Sequence, residues 1–279
     1  MTRRLCAIVA LLAFASVSRA SFSYPDFSDI TGLTLNGDAA QVGNRLRLTA
    51  SKLTVVGSAF SESAILLGPD KSFSTYFQFQ ISRSAGSGDR DGIGADGLVF
   101  VIQTVPDKIG GAGGGMGYLG IPNSVGIEFD TFDNGPGLGL GDLDGNHAAI
   151  NLDGVLAPLD YSAERRRFND GGILHVWIDY DGEDDFLEVR WALIPQRPFN
   201  PILELSIDLA EHLGTDTAFV GFTSATGGAF GDHDILTWEF RGDLAPVQSV
   251  PEPSTLVGGL AAILGIALGS VGRARRSGR

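Results

Sequence analysis

The sequence predicts an all-β fold, an antiparallel sandwich forming one domain between two terminal segments of different character. Three observations lead there. Between Ser21 and about Gly242 no long amphipathic helix is found, and short alternating or apolar runs rich in β-branched and aromatic residues recur instead. Glycine is heavily used, 39 of 279 residues, and clusters with Asp, Asn and Ser between the runs, where tight turns need it. The single cysteine, Cys6, lies in the N-terminal segment, so the body cannot lean on disulfides and must rest on a hydrophobic core, with metal as an additional support.

The runs come in order: RLRLTA (45–50), STYFQFQIS (74–82), GLVFVIQ (97–103), SVGIEFDTF (124–132), HAAINLDG (147–154), ILHVWIDYD (173–181), FLEVRWAL (186–193), AFVGFTSA (218–225) and ILTWEFRG (235–242). WIDYDGEDDFLEVRW reads as a hairpin around Gly182, and LELSIDLAEHLG (203–214) as a segment holding a short helical turn. No internal repeat is present. Many short strands with loops of this kind pack as two sheets over one core.

The ends differ from the body. MTRRLCAIVALLAFASVSRA has an arginine pair, an apolar run and a small-residue finish, the pattern of a secretory signal peptide over residues 1–20. Residues 246–279 hold Pro251-Glu252-Pro253, an apolar run from Leu256 to about Val271, and four arginines. That run is short for a free-standing transmembrane helix, and the arginines suit cytoplasmic retention. The tail resembles the PEP-CTERM sorting signal of Gram-negative, exopolysaccharide-producing bacteria. The resemblance implies an exported protein of the cell surface or matrix, anchored in the inner membrane transiently or permanently by this segment, with a membrane sorting enzyme as partner; a simple C-terminal membrane anchor is the plain alternative. The chain carries −13 overall, and setting aside the three arginines of residues 1–20 and the four of residues 255–279 leaves −20 between them. Such a body repels nucleic acid and anionic membranes.

Within residues 21–245, VGIEFDTFDN (125–134) places three acids in an otherwise apolar strand. An unpartnered buried carboxylate is unfavourable, so something must compensate them. Alternation puts Glu128, Asp130, Phe132 and Asn134 on one face of an unbroken strand, and Asp142 and His147 follow. Oxygen ligands suit calcium, and the added imidazole suits an ion such as manganese. The plain alternative is a solvated acidic loop.

Four blocks in series resemble the legume-type (L-type) lectins: this segment, GIGADGLVFVIQ (92–103), GGAGGGMGYLGI (110–121) and VGFTSATGGAFGDHDILTWEF (220–240). The resemblance implies a concanavalin-like jelly roll over residues 21–245, metal-dependent carbohydrate binding and no enzymatic activity. It assigns Glu128, Asp130, Asp142 and His147 to a Mn2+-like transition ion. It assigns Asp130, the Phe132 carbonyl, Asn134 and Asp142 to Ca2+. Asp144 competes with Asp142, and the five-residue interval to His147 favours Asp142. Asp96, the amide of Gly115 (or Gly114), Asn134 and the Phe132 ring would hold a glycan, and the Ala95–Asp96 peptide would be cis. Asp133 has no role in that scheme.

Glucanases of the same fold use Glu-x-Asp-x-x-Glu, which EFDTFD matches until Asp133 replaces the last glutamate. The shorter side chain disturbs the 5–5.5 Å carboxyl separation that retention needs. A matrix protein that kept the fold and lost the sugar is the third reading. His175 reads as a structural histidine, His233 as a cap on the loop before the last strand, and Arg165–Arg167 as a solvated turn. GGAGGG lacks the Lys-Ser/Thr of a phosphate loop.

Overall fold

The structure is a computed structural model and describes residues 20–135, 142 and 144–248. The predicted signal peptide up to Arg19, and the tail from Ser249 onward, lie outside the described residues. No helix of the described residues is long and apolar enough to cross a membrane.

Sixteen strands are described: β1 (Phe22–Tyr24), β2 (Leu33–Gly37), β3 (Ala40–Val42), β4 (Arg45–Thr49), β5 (Val56–Ser61), β6 (Ile65–Leu66), β7 (Phe73–Gly86), β8 (Gly97–Gln103), β9 (Ser124–Asp130), β10 (His147–Leu152), β11 (Val155–Ala163), β12 (Ile173–Asp181), β13 (Phe186–Ala192), β14 (Leu203–Ser206), β15 (Thr217–Ala225) and β16 (Ala229–Arg241). They pair antiparallel throughout. One sheet runs β14-β13-β12-β7-β16-β4-β3 with β1 beside β16, and the other runs β11-β10-β9-β8-β15-β5-β2 with β6 beside β15.

The all-β sandwich read from the alternating runs is therefore observed. The hairpin around Gly182 joins β12 to β13. The expected helical turn is α1 (Leu209–Leu213), capped by the Asp208 carboxylate on the Glu211 amide (2.9 Å) and closed by Gly214 in the left-handed region.

The core lies between the sheets. Phe77 of β7 stacks on Phe100 of β8 at 5.7 Å and meets Phe222 of β15 edge-on at 4.9 Å. Phe79 packs on Phe129 of β9 at 5.1 Å, and all five rings are fully buried. On β9 the period of two holds: Val125, Ile127 and Phe129 join this core, which turns Glu128 and Asp130 to the opposite face of the sheet. A smaller apolar cluster forms on that opposite face, where Met116 and Tyr118 of the glycine-rich loop cover Val99 and Val101. The loop is thereby held against the sheet beside the acids.

One expectation needs correction. The strand expected to run through Phe132 stops at Asp130, because the Asp130 carboxylate accepts the Phe132 amide (2.6 Å) and turns the chain into a loop. Phe132 and Asn134 therefore reach the site by a turn and not by strand alternation.

Candidate functional site

Register brings the two halves of the acidic motif together. Asp130, last residue of β9, lies opposite His147, first residue of β10, and Glu128 lies opposite Ala149. Asp130, Asp142 and His147 each offer a ligand atom within 4.8 Å of the others. His147 Nε2 faces Glu128 Oε1 at 3.2 Å, while Nδ1 faces the Asp144 carbonyl at 3.2 Å. A carbonyl only accepts, so Nδ1 carries the hydrogen. In the neutral ring Nε2 is then an acceptor that confronts a carboxylate, and a proton or a cation must lie between them.

The carboxylates show the same need. Asp130 and Glu128 are 1% and 2% exposed, and Asp130 Oδ2 and Glu128 Oε2 have no hydrogen-bond partner. Burial first, then the charges of Asp142 and Glu128, hold the Asp130 carboxyl well above its usual range. Burial lifts Asp142 to about 6, against the opposing hydrogen bonds from Asn134. For His147, burial pulls the pKa down, but the Glu128 hydrogen bond and the Glu128, Asp144 and Asp142 charges outweigh it and leave it raised. The donor set is hard oxygen plus one imidazole whose second nitrogen is already oriented by a backbone carbonyl, so the residues present fit a metal ion.

Asp142 and Asp144 are placed differently around His147, whose Nδ1 lies 3.5 Å from Asp144 Oδ1. Asp142 lies in the three-ligand group and its Oδ2 accepts the Asn134 amide at 2.7 Å. The Asp144 carboxylate accepts the Tyr161 hydroxyl and the Asn146 amide. Asn134 Nδ2 in turn donates to the Phe132 carbonyl at 3.2 Å, so Phe132, Asn134 and Asp142 form one tied unit. Asp133 turns onto its own backbone, its Oδ1 accepting the Gly135 amide at 2.8 Å.

Asp96 stands where the loops meet. The Ala95–Asp96 peptide is cis. The Asp96 amide donates to the Ala225 carbonyl (3.3 Å) at the end of β15, and its carbonyl accepts both the amide and the hydroxyl of Thr131 (2.8 and 3.1 Å). Its Oδ2 is buried without a partner, close to Gly227, which itself approaches Gly113. Burial, then the Asp142 charge, raises the carboxyl to about 7. Aspartate, glycine loop and the β15–β16 loop thus converge beside the acid cluster. Of the two glycine amides named for the sugar, that of Gly115 is buried and donates to the Ala112 carbonyl (3.2 Å), while Gly114 is partly exposed.

Two further expectations are also corrected. Arg167 is not part of a solvated turn, since its guanidinium donates to the Thr131 carbonyl at 2.9 Å. His233 lies inside β16, fully buried against the Thr49 hydroxyl (2.8 Å), and burial lowers its pKa to about 4. His175 is structural as expected, its Nδ1 meeting the Tyr76 hydroxyl at 2.8 Å. Sequence reasoning missed Asp89, Asn146, Tyr161 and Arg167. Only Asp89 left a trace, in the turn-forming run SGDRDG.

The family model of the legume lectin domain matches residues 19–255. The chain belongs to the legume lectin domain family. The lectin domain of L-type lectin-domain containing receptor kinase VIII.2 of Arabidopsis thaliana is among its relatives, 33% identical over 175 residues, covering 61% of this chain and 23% of that protein. The chain spans less than half the length of the curated relatives it matches. Among solved structures, the metal-free form of lectin I-B4 from Griffonia simplicifolia is 26% identical with a TM-score of 0.66, covering 80% of this chain and 98% of that one. Basic winged bean lectin with Tn-antigen is 27% identical with the same TM-score and the same coverage of both chains. These legume lectins share the sandwich described above, and membership of the family points to carbohydrate binding.

Proposed function

We propose that the chain is an exported, metal-dependent carbohydrate-binding protein of an extracellular or surface polysaccharide, without enzymatic activity. The observation that carries this is the Asp96 carboxylate, buried and unpartnered where the glycine loop and the β15–β16 loop meet, beside the acid cluster. Asp96 would accept from a vicinal pair of sugar hydroxyls, the Asn134 side chain and the Gly114 amide would donate to them, and the Phe132 ring would cover the apolar face. Glu128, Asp130, Asp142 and His147 would hold a Mn2+-like ion. Asp130, the Phe132 carbonyl, Asn134 and Asp142 would hold Ca2+. Bound ions supply positive charge to the crowded carboxylates and rigidity to the loop, and the sugar contacts are made by the chain's own groups. Lectins of this family have been seen with galactose and with GalNAc, which makes galactosides the first probes.

The hydrolase reading weakens further on the Asp133 geometry. Its carboxylate closes a turn on Gly135, so the acid at the last position of the glucanase motif is engaged with its own backbone instead of facing Glu128. Release of reducing ends from β-glucan, lost in Glu128→Gln, would reverse this choice. Export, surface location and processing by a membrane sorting enzyme rest on the residue patterns of 1–20 and 246–279. A glycan array with and without EDTA tests the whole reading. Binding that chelation abolishes supports it, while binding that is absent in both arms favours a structural matrix protein.

A further inference from the structure

The turn joining β7 to β8, Ser87-Gly88-Asp89-Arg90-Asp91-Gly92, is closed by Asp89. Its Oδ1 accepts the amides of Asp91 (2.8 Å) and Gly92 (3.0 Å). Its Oδ2 reaches out of the turn and accepts the Asp133 amide at 2.8 Å. Arg167, from the segment between β11 and β12, grips the same place. One of its terminal nitrogens donates to the Thr131 carbonyl (2.9 Å), the other faces Asp89 Oδ1 (3.5 Å), and Nε donates to Asn169 (2.8 Å). The Asp89 and Arg167 side chains are only 5% and 19% exposed.

The far end of the acid loop is tied as well. Asn146 donates to the carbonyls of Glu164 (2.7 Å) and Arg166 (2.9 Å) and accepts the Phe168 amide (3.0 Å). Two glycines give the clamp room to close. A Cβ at Gly145 would lie 2.2 Å from Asp89 Oδ2, and one at Gly92 would lie 2.8 Å from the Arg167 guanidinium. Three loops from distant parts of the chain thus meet around Thr131–Asp133 and Gly145–Asn146, the entry and exit of the segment that carries the acids.

We propose that Asp89 and Arg167 are positioning residues of the site, a clamp that sets the loop in its ion-ready shape before any ion arrives. The proposal rests on the reading of this loop as an ion cradle. Neither side chain is among the ligands. Each acts through the backbone that presents Asp130, the Phe132 carbonyl and Asn134, so the ordering entropy of those residues is met on folding rather than on binding. The Asp89 carboxylate and the planar fork of Arg167 are both needed, because a lysine offers a single nitrogen and cannot reproduce the three separately placed contacts to Thr131, Asp89 and Asn169.

The test uses the full chain, stripped of metal, titrated with calcium alone by calorimetry, in wild type, Arg167→Lys and Asp89→Asn. Melting temperatures are read in the metal-free and calcium-saturated states. The clamp predicts calcium affinity at least about tenfold weaker in both variants, with metal-free melting within a few degrees of wild type. Affinity equal to wild type, with melting lowered equally in both states, overturns it and leaves the two residues structural. A wild-type chain that takes no calcium overturns the ion cradle itself, and the clamp with it.

Discussion

Replacing Asp130 by asparagine reverses sign between two conditions. Asp130 is 1% exposed, its Oδ1 accepts the Phe132 amide at 2.6 Å, and its Oδ2 has no partner. Its charge is buried next to Asp142 and Glu128, which together with burial hold its carboxyl well above the ordinary range. Asparagine keeps the acceptor for Phe132 and turns the orphan oxygen into an amide facing acceptors. A buried unsatisfied polar group costs about 1–3 kcal/mol, so Asp130→Asn stabilises the metal-free fold by about 1–2 kcal/mol. For a domain of this size that raises Tm by about 2–8 °C. Ions at a hundred times their Kd stabilise the wild type by about 2.7 kcal/mol, or about 5–11 °C, and the variant forfeits most of this gain. Thermal melts at pH 7.5 should therefore cross, the variant melting above wild type in EDTA and below it in Ca2+ and Mn2+. A variant that melts lower in EDTA yet keeps the full metal shift would show Asp130 to be a structural hydrogen-bonding group only.

Other consequences follow from the same geometry. Asp96 and Asp142 are raised in the fold to about 7 and about 6, so the native state binds extra protons, and the stability this confers below pH ~4 is lost as pH rises through those values. Metal-free protein should melt about 5 °C or more lower at pH 7.5 than at pH 5, and the shift on adding calcium should grow across that window; a flat profile in both conditions would contradict the crowding of acids. Asp96→Asn removes a charged acceptor for two hydroxyls and should weaken glycan binding about a hundredfold while keeping the calcium-induced rise in Tm, read by calorimetry and melting on the same sample. Phe77→Ala empties the contact between Phe100 and Phe222 and should lower stability by about 3–5 kcal/mol in both metal states, measured as a shifted urea midpoint with unchanged m.

Much of this is legible in the sequence. GLVFVIQ and ILHVWIDYD appear with the expected bounds, Gly97–Gln103 and Ile173–Asp181, because apolar runs bounded by glycine and aspartate have few other ways to be buried. The resemblance named Asp130 and His147 as ligands of one ion, and the register of β9 and β10 sets them opposite each other. What stayed hidden is equally physical. β1, β3 and β6 are two or three residues long and carry too few positions for a period to show. β11 contains Pro158 and lies at a sheet edge, where proline is tolerated but masks the pattern. Asp89 and Arg167 stand 78 residues apart and act on the Asp133 amide and the Thr131 carbonyl, and side-chain identity alone does not announce backbone partners of that kind. Asp133, unassigned at first, proves to be a turn residue whose amide, not its carboxylate, is held by the clamp.

The most direct measurement is anomalous diffraction from crystals grown in Ca2+ and Mn2+. Two peaks flanking Asp130 and Asp142, with His147 and Glu128 on the manganese side and Asn134 on the calcium side, are expected. Peaks absent from this loop, or confined to acids elsewhere on the surface, would contradict the assignment of Glu128, Asp130, Asp142 and His147 as the centre that holds the sugar-binding loop in place.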